Sequence, residues 1–512
     1  MVDMNQLRMS STCMAGVAVI GLCSLLSACS MVGDYQRDEV ELLLAQPYVS
    51  DQSGNNSNVA TESQFELIDQ LELIEWWHQF DDPQINQLVD QALLHNYDLK
   101  LAAANVLESQ ALLDSAFAGF WPSVNLGYSP QRNFISTATQ FSSNGSGGVI
   151  GNSSSGIFST RHSMSLSLSW QLDLFGRLRH AYSAAQADLA ALEQDREALT
   201  NSLIANVMRQ HVELMITMQR LQVARQITAS RQLTLETVDR RYQRGVTGTS
   251  AVDVRLAREN MLSAQANQTA LELNVELASH ALDTLLGRAP VQRLSIESKL
   301  TDLPALDQQI TGIPMQLLDR RPDLKAAEFR SIANHQRIGV ALADLYPDLT
   351  LTGRLGTNTN SLSQFFSLDN LIASVAGELA TTLFQGGRLR AQVAAAEARL
   401  QAQAARYGQL VLTAVREVED ALVSNRLLDR RIGQIKQQLT EARHAEALAK
   451  QRYGRGIDSL LIVLETERRR QIAEDLFLQV EQQRWNSRIN LHLAIGGHWL
   501  PINNQQLSVA QQ

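Results

Sequence analysis

Met164-Ser165-Leu166-Ser167-Leu168-Ser169-Trp170-Gln171-Leu172-Asp173-Leu174 alternates apolar and polar residues over eleven positions without a fault. Successive side chains of a strand point to opposite faces, so one face of this stretch is apolar and the other polar. Its length matches the ~9–11 residues of a strand that crosses an outer membrane. Val124, Leu126 and Tyr128, separated by Asn125 and Gly127, supply a partner strand. The pattern returns at Leu349, Leu351 and Leu355, and again at Ala373, Val375, Gly377, Leu379 and Leu383, with Glu378 on the polar face. A soluble sandwich hairpin would alternate in the same way. Here only two hairpins exist, and each is flanked by very long helices, as the rest of the chain shows. The strands of each pair are joined by Phe141–Ile157, rich in Ser, Asn and Gly, and by Asn358–Asn370. Pro122 to Arg177 spans 55 residues but Pro347 to Arg388 spans 41, which puts 14 extra residues in the first loop. Variable length is expected of a surface loop.

Outward from the strands, the chain repeats itself. No proline occurs between Pro130 and Pro290, or between Pro347 and Pro501. An interior proline costs a helix about 3 kcal/mol, so both blocks permit long helices. Asp98-Leu99-Lys100 lies 24 residues before Pro122, and Asp323-Leu324-Lys325 lies 24 before Pro347. Leu174-Phe175-Gly176-Arg177-Leu178-Arg179 matches the segment from Leu383 to Arg390. Arg241-Tyr242-Gln243-Arg244-Gly245 matches Arg452-Tyr453-Gly454-Arg455-Gly456. Arg177 to Tyr242 and Arg388 to Tyr453 are both 65 residues. Equal spacing between matched landmarks implies a duplicated unit with a rod of fixed length. Steps of three and four from Val393 to Tyr453 pass through 18 positions, of which 15 are apolar or Tyr. That is a coiled-coil-like seam. A helical rod of 65 residues is roughly 98 Å long. The rods break near Gly245 and Gly456, and shorter helices return at about 249–286 and 459–495. Each unit is therefore a helical hairpin with Arg-Tyr-x-Arg-Gly at its far tip.

Two hairpins of strands give four strands per chain. Four cannot close a membrane barrel, whose minimum is about eight. An open sheet edge in lipid would leave backbone groups unpaired. Chains must therefore pool strands, as 8, 12 or 16.

The amino terminus explains the cysteines. Cys13, Cys23 and Cys29 are the only three, all within the first 29 residues. Arg8, then the apolar run Met14–Leu26, then small residues, read as a secretory signal. It ends in Leu26-Ser27-Ala28-Cys29, which resembles the bacterial lipobox, in which the cysteine is acylated after cleavage. Ordinary cleavage after a small-residue site is the alternative. Acylation of Cys29 would leave no free thiol and no disulfide. Ser30 follows, without the Asp that favours inner-membrane retention in lipoproteins of enteric bacteria, so the resemblance implies the outer membrane.

Composition removes several classes. Of 512 residues 45% are hydrophobic, which permits a large core, and Gly and Pro are sparse at 28 and 10, against collagen-like or Pro/Gly-rich disordered chains. The net charge is −9, with 44 basic and 53 acidic residues, so the basic excess of a nucleic-acid binder is missing. No apolar run reaches the ~18–20 residues of a spanning helix. No HExxH, CxxC, Walker lysine or GxSxG sequence occurs. Asn144–Gly148 lacks the Gly-Lys-Ser/Thr of a phosphate loop. His492 and His498 lack metal-binding partners, and His78 is expected at the surface. Trp76, Trp77 and Phe80 are expected to pack. Neither a catalytic residue, a metal nor a cofactor is expected.

Three further segments carry a resemblance. Gly33-Asp34-Tyr35-Gln36-Arg37 resembles a Gly-Pro-Asp-Tyr start, without its proline. Trp76-Trp77-His78-Gln79-Phe80-Asp81-Asp82-Pro83 resembles a paired-tryptophan segment, and Leu317-Leu318-Asp319-Arg320-Arg321-Pro322-Asp323-Leu324 is close to a specific motif of the same family. With the repeats, the chain resembles the TolC-like outer membrane factors over residues 29–497, and within them the lipoprotein (NodT-type) branch that serves resistance-nodulation-division efflux pumps. The resemblance implies a mostly α protein with a small β part. Long antiparallel α-hairpins form a trimeric tunnel, and four strands per chain build a 12-stranded barrel in the outer membrane of a Gram-negative bacterium. A periplasmic adaptor and an inner-membrane pump are the implied partners. The tips Arg241, Tyr242, Arg244, Gly245, Arg452, Tyr453, Arg455 and Gly456 would meet the adaptor, although the glycines also serve the turns. Leu461, Glu465 and Arg468 would form the periplasmic gate, although Glu465 and Arg468 at i,i+3 also suit a plain surface pair.

The expected organisation is a signal peptide over 1–28, an anchored extension over 29–74, repeats over 75–290 and 313–497 joined by a linker at 291–312, and a tail over 498–512. The expected function is passive export of small toxic compounds through a tripartite pump. The outer channel of a type I protein secretion system, or a coiled-coil tether between envelope layers, are the other readings.

Overall fold

A computed structural model describes residues 76–136, 156–246, 248–290, 303, 320–364 and 367–497. After a 3-10 turn at Trp76–Phe80 come α1 (Pro83–His95), α2 (Tyr97–Ala118), β1 (Ser123–Ser136), β2 (Gly156–Leu172), α3 (Arg177–Gln243) and α4 (Ala251–Leu285). The second series is α5 (Pro322–Ala343), β3 (Asp348–Thr359), β4 (Leu371–Ala380), α6 (Arg388–Gly454) and α7 (Leu460–Ala494). The duplication is visible in the helix lengths. α2 and α5 have 22 residues each, α3 and α6 have 67, and α4 and α7 have 35. The chain divides into two compact units.

The first unit takes in residues 107–190 and 329–404 and holds the strands. They form one antiparallel sheet in the order β1-β2-β3-β4. The register puts apolar residues in rows: Val124, Leu168, Gly353 and Val375 in one, Leu126, Leu166, Leu355 and Ala373 in the next. The opposite face carries rows such as Ser167, Arg354 and Ser374. Burial does not explain the apolar face, since Leu126 is 69% and Val375 90% exposed. β1 and β4 each pair on one side only among the described residues. The extra length of the first hairpin is divided, against the expectation of a longer loop alone. Nine residues lengthen the strands and eight the connection, less three in the turn after β4. The added strand ends hold because Phe134 and Phe158 pair across them at 5.0 Å and Arg132 lies over the Phe158 ring at 4.6 Å. Residues 137–155, with the Asn144–Gly148 segment, lie outside the described residues. Asp173, the last polar residue of the alternating stretch, accepts the Leu178 and Arg179 amides at 3.0 and 2.9 Å and so starts α3.

The second unit takes in the described residues of 37–106, 191–328 and 405–512. Its main core gathers Trp76, Phe80, Ile85 and Val89 against Ile204, Met208, Leu282, Trp485 and Ile489. Trp76 and Phe80 are packing residues, as the sequence suggested, and His78 is exposed. His492 lies flat on Trp76 at 5.5 Å. Burial, with Arg488 nearby, pulls its pKa down to about 4, so it is neutral at pH 7. His498 is outside the described residues. Asn96 has two uses: its Oδ1 accepts the Asp98 and Leu99 amides at 2.8 and 3.2 Å, and its Nδ2 donates to the Leu285 carbonyl at 2.9 Å. It caps the start of α2 and the end of α4 together. Of the 18 seam positions on α6, only Glu397 is exposed. Tyr407, Val411, Ala414 and Val418 pack on Leu324, Ala494 and Ile495. Arg321, from the Arg-Arg-Pro-Asp motif, donates to Asp323 at 2.7 Å, to Glu417 at 2.7 Å and to the Ala494 carbonyl at 3.3 Å. One buried guanidinium thus joins the start of α5 to α6 and to the end of α7. Among the described residues no helix is long and apolar enough to cross a membrane.

Candidate functional site

The two helical tips end in the same way. The Val246 amide donates to the Arg241 carbonyl and the Gly245 amide to Tyr242, both at 3.0 Å. Ile457 and Gly456 repeat this on Arg452 and Tyr453, also at 3.0 Å. This is the Schellman termination, which needs a left-handed residue after the last turn. Gly245 and Gly456 supply it, with φ of 64° and 74°. The return differs. Ser250 forms a capping box with Asp253 at the start of α4, whereas Ser459 makes no side-chain cap on α7. The first turns of α7 are apolar instead, with Leu460 and Val463 buried. Leu460 joins Val238, Val254 and Ala257 in a small core, against which Tyr453 and Leu464 pack. The two tips therefore share one core.

The four tip arginines separate into two kinds. Arg241 lies over the Tyr453 ring at 4.9 Å and bridges one hairpin to the other. Arg452 grips Asp458 through two hydrogen bonds of 2.8 and 3.0 Å and holds that carboxyl below its usual range. Both of these serve the tip itself. Arg244 and Arg455 are exposed and make no ion pair among the described residues. Tyr242, two residues before Arg244, is 46% exposed.

Leu461, Glu465 and Arg468 recur at i, i+4 and i+7 and so share a face of α7. Leu461 is 61% exposed, and Ile472 continues the same stripe at 52%. Glu465 accepts from Arg468 Nε and Nη2 at 2.8 and 2.9 Å. It also accepts from Arg469 Nε at 2.7 Å, a second cation that the i,i+3 reading did not include. Hydrogen bonds from Arg468 and then Arg469 lower the Glu465 pKa to about 2. The i,i+4 spacing of Glu465 and Arg469 was the available signal.

Behind this stripe runs a network that sequence reasoning missed. Lys450 Nζ lies 2.7 Å from Glu446, 2.9 Å from Glu467 and 3.2 Å from Ser230 Oγ on α3. Arg470 pairs with Glu446 and Glu474, and Arg443 reaches Glu474 at 2.6 Å. Glu446, Glu467 and Glu474 are all buried, each answered by a cation. Three cations and three carboxylates join α6 to α7 just above the tip. Cys29 lies outside the described residues. No group of three or more His, Cys, Asp or Glu among the described residues could hold a metal.

Among the described residues, the tips and the network behind them offer no nucleophile, paired acid and base, or cofactor cradle. The sheet is amphipathic, with both edges unpaired among the described residues, and the helical tips are braced by charge. A family model described as outer membrane efflux protein matches residues 88–288 and 313–497. Among curated relatives, the toluene efflux pump outer membrane protein TtgF of Pseudomonas putida is 30% identical over 494 residues, 96% of this chain and 98% of that protein. The pyoverdine export outer membrane protein OpmQ of Pseudomonas aeruginosa is 29% identical over 483 residues, 93% and 96% of the two chains. The solved structure of the outer-membrane channel OprN superposes with a TM-score of 0.76 at 29% identity, covering 92% of this chain and 100% of that one. The chain belongs to the outer membrane efflux protein family. It is the outer membrane channel component of a tripartite efflux system of the resistance-nodulation-division type, a passive conduit for small molecules and not an enzyme.

Proposed function

We propose that three copies of this chain close a 12-stranded barrel and continue it as a periplasmic tunnel. The observation that carries this reading is the sheet of four strands with apolar residues outward and both edges unpaired among the described residues. Unpaired backbone groups in lipid cost several kcal/mol each, so β1 of one copy and β4 of the next must meet. The two hairpin repeats at 75–290 and 313–497 are the channel body. Residues 1–28 are a signal peptide, and Cys29 carries the acyl chains that place the protein in the lipoprotein branch. Arg244 and Arg455, which make no ion pair among the described residues, meet the periplasmic adaptor, together with Tyr242 and the turns at Gly245 and Gly456. Arg241, Arg452 and Tyr453 shape that surface from within. Leu461, Glu465 and Arg468 line the closing end of the tunnel. An inner-membrane proton-driven pump supplies energy and direction. Toluene and pyoverdine, named for the two relatives, support small organic molecules as the cargo class.

The test is conductance with assembly. Purified protein in mild detergent should be a trimer of about 170 kDa, three times the 56.7 kDa chain before signal removal and acylation. Arg468→Ala should raise single-channel conductance and sensitise cells to large antibiotics such as vancomycin. Arg416→Ala is the control, because among the described residues that exposed side chain pairs only with Asp420 on its own helix. A conducting monomer would refute the assembly, and equal effects of the two substitutions would refute the gate.

A further inference from the structure

The proposed gate face is not acidic. Residues 236–260 and 443–470, which surround the two tips, hold twelve basic and eight acidic side chains, in a chain whose net charge is −9. Six of those charges pair with one another: Arg452 with Asp458, Lys450 with Glu446 and Glu467, and Arg470 with Glu446. The exposed stripe of α7 keeps one carboxylate, Glu465, and sets two guanidinium groups on it, Arg468 at 2.8 Å and Arg469 at 2.7 Å. Arg468 and Arg469 are 59% and 71% exposed, while the Glu465 side chain is 41% exposed beneath them. Each chain therefore presents an excess of one positive charge on this stripe. Arg244 and Arg455 add two more at the tips.

We infer that the periplasmic mouth of this channel favours anions over cations, and that Arg468 and Arg469 set the preference by covering Glu465. The inference rests on the reading of Leu461, Glu465 and Arg468 as the closing end of a trimeric tunnel. Three copies bring three excess positive charges around one opening. Counter-ions concentrate where charge of one sign lines a narrow entrance. Cargo carrying carboxylate or sulfonate groups would be drawn in, and polyamines would be repelled. At about one Debye length from the permeating ion, three unit charges in water give roughly a threefold enrichment of monovalent anions.

The experiment uses the purified full-length channel in planar bilayers under a tenfold KCl gradient, with spermine then added to the periplasmic side. The wild type should show a reversal potential of the sign set by chloride, and spermine should not block it. Arg468→Gln with Arg469→Gln should uncover three Glu465 side chains, move the reversal potential toward potassium and create spermine block. Adding Glu465→Gln to that pair should abolish the block. The barrel-face charges Arg354 and Glu378 are the same in all variants, so the differences report the mouth. A potassium-selective wild type whose conductance still responds to the double substitution would overturn the anion preference and leave the gate reading standing. A double variant unchanged in both conductance and reversal potential would overturn both, because these residues would then not face the pathway.

Discussion

Replacing Lys450 by methionine should loosen the α6–α7 hairpin by an amount that the surrounding contacts set. The lysine ammonium lies within 3 Å of two carboxylates, Glu446 and Glu467. Glu446 keeps Arg470 after the change. Glu467, only 5% exposed, has no other cation in an ion pair with it among the described residues. Removing one member of a buried pair costs about 3–5 kcal/mol, because the remaining charge stays desolvated. The Lys450 side chain is 40% exposed, so solvent screens part of the attraction, and about 2–3 kcal/mol is the reasoned cost. Amide hydrogen exchange of the trimer in detergent, read by mass spectrometry over residues 440–475, measures that local opening. At about 1.4 kcal/mol per tenfold, exchange there should speed up roughly 30- to 150-fold. Lys450→Met combined with Glu467→Gln should recover most of the protection, since the stranded charge is then gone. Acceleration below about threefold, or no recovery in the double variant, would mean that packing rather than charge holds the hairpin.

The remaining expectations are briefer. Cys29→Ser should block acylation and leave unprocessed precursor, and labelled fatty acid entering that variant would end the lipoprotein reading. Glu465 has its pKa lowered from 4.5 to about 2, so its contact with Arg468 and Arg469 is fully present above pH 4.5 and is lost only as pH falls through about 2. Wild-type resting conductance should therefore stay level from pH 7 to pH 4, whereas the double arginine-to-alanine variant should show a transition between pH 4 and 5; a wild-type midpoint near 4.5 would contradict the bracing. Asn96→Ala should cost about 2–3 kcal/mol, since it removes a helix cap and leaves the Leu285 carbonyl without its side-chain donor. The cost should appear as earlier thermal dissociation of the trimer, and an unchanged transition would show that water replaces all three side-chain bonds.

Much of this architecture could be read from residues alone. The period of two in Met164–Leu174 depends only on neighbours along the chain, and so does the seam from Val393 to Tyr453. The equal 65-residue spacing of the landmarks needed only the chain compared with itself, and it located both tips and both returning helices within two residues. Glycine at 245 and 456 announced the left-handed turns, because no other residue adopts them so cheaply. Pairing at a distance was a different matter. β2 and β3 meet at Leu168 and Gly353 although α3, α4 and α5 separate them in the chain. Lys450 reaches Glu467 across the turn and Ser230 on another helix, and Arg321 finds Glu417 and the last carbonyl of α7. The i,i+3 spacing gave Glu465 one partner, Arg468, and the structure adds Arg469. Long charged side chains have many rotamers and choose partners by proximity in space. That proximity follows from how the helices rotate and cross once their apolar seams are buried, so the strands, rods and turns were legible in the sequence while the wiring of charge at the tip was decided by tertiary packing.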